Sequence, residues 1–296
     1  LSISMTAMAS NRLRSLYRSP SELFSLGKNL SHSIANSQIL RLLDNQQRPP
    51  NFFTSPETPF NDEIGTAHSL SSAHLSLTAI KEIKVAFPGS TVNDAVLAVC
   101  AGALRKHLLN ENKLPETPIS AMVPVSKRPE TGDAEGNLIS PMLVSLATDI
   151  ESPIDRLAAI HQNALMAKKY NRKVAMERII NHLPSWSSSW VTKAYTRLRI
   201  ANKFKPIFNL IITNVPGPTC QMYLDGAKLK SLEGVAPIVD GMGLTLVITS
   251  YMKTLTVGIT STAEMSSHAP LFIKYLHESL NELHDALIPE ILEKAS

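Results

Sequence analysis

Four groups of residues in this chain are placed where they could do chemistry. Thr213 and Asn214 follow the apolar run Leu210 to Ile212 and precede Pro216-Gly217-Pro218, which forbids a strand from continuing. Two short hydrogen-bonding side chains are thus expected at a strand end beside a stiff turn. They are either an ordinary strand cap or polar groups held over a pocket. Asn93 stands in the first turn of an expected helix, where backbone N–H groups and the helix dipole favour developing negative charge. Its neighbour Asp94 stands three residues after Thr91 and is expected to cap that turn. Lys127 and Arg128 directly follow an expected strand and could contact phosphates or form a solvated loop pair.

Other chemistries find little support. The nine histidines are scattered, none with a recognisable carboxylate orienter in sequence, and a structural or surface role is expected for each. Cys100 and Cys220 have no histidine nearby, there is no Gly-x-Ser-x-Gly elbow, and no Cys/His spacing suits zinc, so no metal is expected. Gly241-Met242-Gly243 precedes a strand instead of a helix and does not continue as a phosphate loop.

The segment Phe208 to Pro218 resembles the Ser/Thr-Asn-Val-Pro-Gly-Pro signature of the bacterial wax ester synthase/diacylglycerol acyltransferase family. Three further stretches are similar to that family and occur in its order. They are Thr91 to Leu104 with Asn93-Asp94, Val123-Pro-Val-Ser126 through Thr148, and Gly241 to Tyr251. The resemblance spans residues 62–296 and only the C-terminal part of the family. The family's His-His-x-x-x-Asp-Gly motif, source of its general base, has no counterpart among these residues. The family usually has serine at Thr213, so the hydroxyl is kept; its arginine near Ala67-His68 is absent.

The resemblance implies an α/β fold like the C-terminal domain of chloramphenicol acetyltransferase-like, coenzyme A-dependent acyltransferases, a mixed sheet packed with helices. It implies transfer of a fatty acyl group from acyl-CoA to diacylglycerol or a long-chain alcohol, giving triacylglycerol or wax ester. Acyl-CoA would be a co-substrate, with no bound cofactor. Asn93, Thr213 and Asn214 would position the reacting carbonyl or its oxyanion, and Lys127 and Arg128 would touch coenzyme A. The chain is expected to be a fragment or split product needing the N-terminal half as partner, and inert alone. A non-catalytic lipid- or partner-binding module on the same half-fold is the alternative.

Composition bounds the partners. The chain has 296 residues, 44% of them apolar, enough for a sizeable core. The net charge of +4 is confined to residues 1–48, which hold six basic and two acidic residues; the other 248 hold 23 of each sign. A nucleic-acid domain would be basic across one face. A basic N-terminal segment fits an anionic membrane surface or a solvated helix face. No apolar run reaches the roughly 18 residues that span a bilayer. The expectation is therefore a cytoplasmic protein peripherally associated with the inner membrane or lipid droplets.

These residues need elements to hold them. Residues 1–60 read as a helical crossover segment, capped at Ser19-Pro20-Ser21-Glu22, and a Pro-rich linker over 46–65; residues 61–296 read as the α/β domain. Strands are expected at 66–75, 119–125, 138–149, 207–213, 243–251 and 254–260, the last of them half-buried. An Asp225-Gly226 hairpin, helices from Leu77, Thr91 and Ser152, further helical stretches to Asn202, and a final helix capped by Ser266 or Ser267 complete the reading.

Overall fold

In the computed structural model, residues 55–126, 139–173 and 205–294 are described. The N-terminal segment to residue 54, Lys127, Arg128 and the helical stretches expected over 174–202 lie outside them. The sheet has six strands in the order β1-β8-β7-β4-β2-β3. Their ranges are β1 His68–Ser76, β2 Ser120–Ser126, β3 Ile139–Ser145, β4 Leu210–Val215, β7 Leu244–Tyr251 and β8 Thr254–Thr262. Strands β2, β4 and β7 run parallel, while β1 with β8, β8 with β7, and β2 with β3 pair antiparallel. The expected mixed sheet is thus present. A separate hairpin joins β5 (Tyr223–Leu224) to β6 (Ala227–Lys228). Asp225 and Gly226 at its turn have φ of 47° and 79°, the two positive values a two-residue type I′ turn demands.

Helices α1 (Leu77–Ala86), α2 (Val92–Asn110), α3 (Pro153–Lys173) and α5 (Ala269–Lys294) share one layer, with the short α4 (Ala263–Ser266) between β8 and α5. Ser76 Oγ accepts from the Ala79 amide to start α1, and Gly89, at φ 88°, turns the chain after it. At α2 the capping box is complete: Thr91 Oγ1 accepts from the Asp94 amide, and the Asp94 carboxylate accepts from the Thr91 amide. Ser152 accepts from the Asp155 amide at the head of α3. Neither Ser266 nor Ser267 caps α5. Ser266 pairs with Ser69 and Ser267 donates back to the Glu264 carbonyl, closing α4, while His268 offers the carbonyl that opens α5.

Strand register sorts the side chains. Ala73, Leu75, Ala121, Val123, Val144, Leu210, Ile212, Leu246, Ile248, Val257 and Ile259 form one core with the inner faces of α1, α2, α3 and α5. The other face carries no helix among the described residues. A strap of irregular chain, residues 229–239, crosses it instead, held where Thr249 Oγ1 donates to the Leu232 carbonyl at 2.6 Å. Strap and sheet touch backbone to backbone, because a Cβ on Gly258 would overlap the Gly234 carbonyl oxygen. The strap corrects the expectation for β8. Thr256, Thr260 and Ser261 are as buried as the aliphatic residues between them, so β8 is covered on both sides. Strand β3 is also shorter than expected, ending at Ser145.

The end of the Pro-rich stretch is laid into the domain. Asn61 Nδ2 donates to the carbonyls of Phe208, Asn209 and Gly241, and Asn209 Nδ2 donates to those of Pro56 and to Asn61 Oδ1. Phe60 is buried and stacks on His107 of α2, ring centres 6.0 Å apart.

Candidate functional site

Helix α2 fixes where the expected site residues meet. Its last turn lies by the N-terminal ends of the parallel strands: Arg105 donates to the Thr148 carbonyl, Thr148 Oγ1 accepts from the Ile119 amide just before β2, and His107 meets Phe60, whose carbonyl receives the Gly243 amide just before β7. A 19-residue helix is about 28 Å long at 1.5 Å per residue, matching the strands. The N-terminus of α2 therefore reaches the rim where β2, β4 and β7 end. In open α/β sheets the crevice outside the carboxyl ends of parallel strands is the usual place for a ligand.

Asn93 is half-buried at that rim. It stands on the stripe of Leu97, Cys100, Leu104 and His107, the side that meets Phe60 and the sheet. Gly102, on the reverse of the helix, packs against Ser279 of α5 and Arg156 of α3. The Asn93 amide takes no hydrogen bond among the described residues, since Thr91 and Asp94 carry the capping.

Strand β4 continues two residues beyond the end expected of it. Thr213, Asn214 and Val215 pair with Val247, Ile248 and Thr249 of β7, and the turn comes only at Pro216. Pairing inside a strand imposes alternation. Asn214 shares its face with Ile248 and so with α2, whereas Thr213 shares its face with Val247 and the strap. Asn93 and Asn214 thus occupy the same layer at the same rim, and the Thr213 hydroxyl looks into the opposite one. The following turn is pinned: the Gly217 amide donates to Ser250 Oγ at 3.1 Å, and the Met252 amide to the Pro218 carbonyl. Lys127 and Arg128 come after β2 in sequence and lie outside the described residues.

The histidines are less isolated than their sequence surroundings suggested. His161 Nδ1 lies 2.9 Å from Asp94 Oδ2, with the His161 side chain 13% and the Asp94 side chain 2% exposed. This is a carboxylate-oriented histidine joining α3 to the first turn of α2, and a sequence separation of 67 hid it. His284 likewise meets Glu82 at 2.8 Å across α5 and α1. The His161 ring lies edge-on to Phe87. Asp94 Oδ1 is buried and has no partner among the described residues, where the carboxylate is held by its two bonds through Oδ2, one from the Thr91 amide and one with His161. Cys100 is no nucleophile, because burial pushes its thiol up to about 12. Among the described residues no group of three His, Cys, Asp or Glu side chains could hold a metal ion, and no helix is long and apolar enough to cross a membrane.

Comparison with known proteins shows the family of the chain. Residues 135–284, just over half of the chain, match the family profile described as the WS/DGAT C-terminal domain. The chain belongs to the WS/DGAT family. A probable diacylglycerol O-acyltransferase of Mycobacterium tuberculosis is 36% identical over 251 residues, covering 83% of this chain and 53% of that protein. The O-acyltransferase WSD of Acinetobacter baylyi is 32% identical over 231 residues, 77% of this chain and 49% of that protein. Among solved structures, the wax ester synthase/diacylglycerol acyltransferase from Marinobacter aquaeolei VT8 superimposes with a TM-score of 0.64 at 27% identity, over 88% of this chain and 56% of that one. This WS/DGAT chain therefore spans about half the length of the relatives it matches.

Proposed function

We propose that this WS/DGAT chain is the C-terminal portion of an O-acyltransferase that moves a fatty acyl group from acyl-CoA to diacylglycerol or a long-chain alcohol. What carries this reading is the match of residues 135–284 to the WS/DGAT C-terminal domain; Asn93 at the head of α2 and Asn214 near the end of β4 support it. In the reaction the acceptor hydroxyl oxygen attacks the thioester carbonyl carbon, a base takes its proton, and the tetrahedral oxyanion collapses as the C–S bond breaks. The departing thiolate receives a proton to give free coenzyme A. The Asn93 and Asn214 amides are suited to donate to the carbonyl oxygen as its charge grows, and Lys127 and Arg128 to meet the coenzyme phosphates. Thr213, facing the strap, acts from the other side of β4 or holds the strand in place.

The base comes from the N-terminal half of the family, which carries His-His-x-x-x-Asp-Gly. Residues 1–60 form the crossover into the domain at 61–296, and their positive charge brings the protein to a cytoplasmic membrane or lipid-droplet surface. Purified chain, alone and mixed with the N-terminal half of the Acinetobacter baylyi relative, is assayed with palmitoyl-CoA and either hexadecanol or diacylglycerol. Ester formation only in the mixture is the expected result. Turnover by the chain alone would move the base onto its own histidines, His161 first because it has a carboxylate partner. No turnover in either would favour a non-catalytic lipid- or partner-binding module.

A further inference from the structure

The first turn of α2 is closed on itself and then fastened from outside. Its capping box ties Thr91 to Asp94 through two hydrogen bonds, of 2.8 and 3.2 Å. Both run within one turn, so they set its shape and leave its place in the fold to other contacts. Over residues 95–104 that place is set by packing, since every residue there is buried. Thr91, Val92 and Asn93 are only half-buried, and packing holds them less. The fastening comes from α3, where His161 Nδ1 reaches the carboxylate of Asp94, the residue next to Asn93, at 2.9 Å. Helix α3 is itself well held. Leu157, Ile160 and Ala164 lie in the core, and Asn163 Nδ2 donates to the Ser145 carbonyl at the end of β3. A chain of contacts therefore runs from the sheet through α3 to the residue beside Asn93.

The His161 ring is oriented as well as placed. Phe87 lies edge-on to it, ring centres 6.3 Å apart. The far nitrogen, Nε2, is beside Gly89, where an added Cβ would stand 3.8 Å from it. One ring nitrogen is thus spent on a carboxylate and the other lies against the α1–α2 connection. Successive helix residues point about 100° apart, so Asp94 can face α3 while Asn93 faces the rim. We propose that His161 is a positioning residue for acyl transfer: by holding Asp94, it fixes the Asn93 amide at the reacting carbonyl without touching substrate itself. The inference rests on the reading of this chain as the C-terminal portion of an acyltransferase. An amide helps a growing oxyanion only when it is already aimed at the place where charge develops, and a displacement of about 1 Å can cost ~10²-fold in rate. A capping box alone leaves that aim to a half-buried helix end, and the bond from α3 removes the freedom.

The test uses the 296-residue chain mixed with the N-terminal half of the Acinetobacter baylyi relative, assayed with palmitoyl-CoA and either hexadecanol or diacylglycerol. His161→Phe keeps a ring and removes the partner of Asp94, whereas His161→Asn puts an amide N–H where Nδ1 stands. His161→Gln carries that N–H one bond too far out, and takes the place of the phenylalanine variant if the latter does not fold. Gly102→Ala crowds Ser279 and Arg156 about two and a half turns along α2 from Asn93, and controls for lost stability. Circular dichroism checks that each variant is folded at the assay temperature. His161→Phe is expected to lower kcat roughly 5- to 50-fold with KM for palmitoyl-CoA nearly unchanged, because the lost interaction belongs to the transition state. His161→Asn should recover most of that loss, His161→Gln less of it, and Gly102→Ala should leave kcat nearly unchanged. In an Asn93→Ala background His161→Phe should cost nothing further in kcat, since it acts through that amide. Full kcat in both His161→Phe and His161→Gln, an equal fall in Gly102→Ala, or a full further loss in the Asn93→Ala background overturns the inference and leaves the acyltransferase reading standing. Turnover by the chain alone, lost in His161→Phe and not regained in His161→Asn, would also overturn it by making the ring the base. No esterification by the unsubstituted mixture would sink the acyltransferase reading and the inference with it.

Discussion

Replacing His161 by phenylalanine isolates one hydrogen bond that the fold depends on. The aromatic ring keeps its contact with Phe87, while the Nδ1 partner of Asp94 disappears. The carboxylate is 2% exposed, and its second oxygen already has no partner, so it would be left with the Thr91 amide alone. A hydrogen bond to a charged group contributes about 1.5 to 3 kcal/mol, and stripping a partner from a buried pair costs up to about 5. His161 is 13% exposed, so some water can reach the gap, and a loss of roughly 2 to 3 kcal/mol is expected. The internal control is His284→Phe. Its bond to Glu82 is 2.8 Å long, as short as the first, but the two side chains are 28% and 51% exposed. Solvent screening limits that pair to about 0.2 to 1 kcal/mol. Urea unfolding of the chain should therefore show a clear drop in midpoint for His161→Phe at unchanged slope, and a small one for His284→Phe. Combined with Asp94→Asn, His161→Phe should cost less than the sum of the two. Equal losses for the two histidines, or additivity with Asp94→Asn, would refute the anchor.

Four other outcomes follow from particular contacts. In the reconstituted two-half enzyme, Asn93→Ala should lower kcat by roughly 10- to 10³-fold with little change in Tm, and activity lost only in step with unfolding would return Asn93 to a packing role. Burial holds the pKa of His107 below its ordinary value of 6.5. As pH falls below that value only the unfolded chain gains the proton, so stability drops, and His107→Phe should flatten the loss between pH 7 and 5 in denaturation series. A Cβ at Gly102 would overlap Ser279 Oγ and crowd Arg156, so Gly102→Ala should cost about 1 to 3 kcal/mol, partly recovered by Ser279→Gly in the same unfolding assay. Co-sedimentation with anionic vesicles should be salt-sensitive for the full chain and weak for one starting at Asn61; equal binding would remove the basic segment from the account.

Local signals carried most of the fold. Thr91 and Asp94 marked a helix start because a capping box is a contact between residues three apart, and Asp225-Gly226 marked a turn that only positive φ permits. What failed was nonlocal. Alternation along β8 looked half-buried because nothing in Leu255 to Ile259 announces a strap 20 residues upstream. The Pro216-Gly217-Pro218 turn suggested that β4 stops at residue 213, although a proline restricts only its own position and the one before it, leaving Asn214 free to pair. The Pro-rich composition of residues 46–65 concealed that Asn61 binds three carbonyls distant in sequence. The partner of His161 was not legible either, because no rule of spacing connects residue 94 to residue 161.

The alternation of β4 has a consequence for reading variants of its motif. Thr213 and Asn214 are adjacent in the chain yet address two compartments separated by the thickness of the sheet. A saturation scan through Ile212 to Val215 should therefore not yield one smooth profile of tolerance. Positions 212 and 214 should tolerate what α2 tolerates, and positions 213 and 215 what the strap tolerates, giving two interleaved spectra from four consecutive codons. Compensating changes would follow the same parity. A substitution at Asn214 would be rescued from α2 and one at Thr213 from residues 229–239, so a single short motif answers to two independent neighbourhoods.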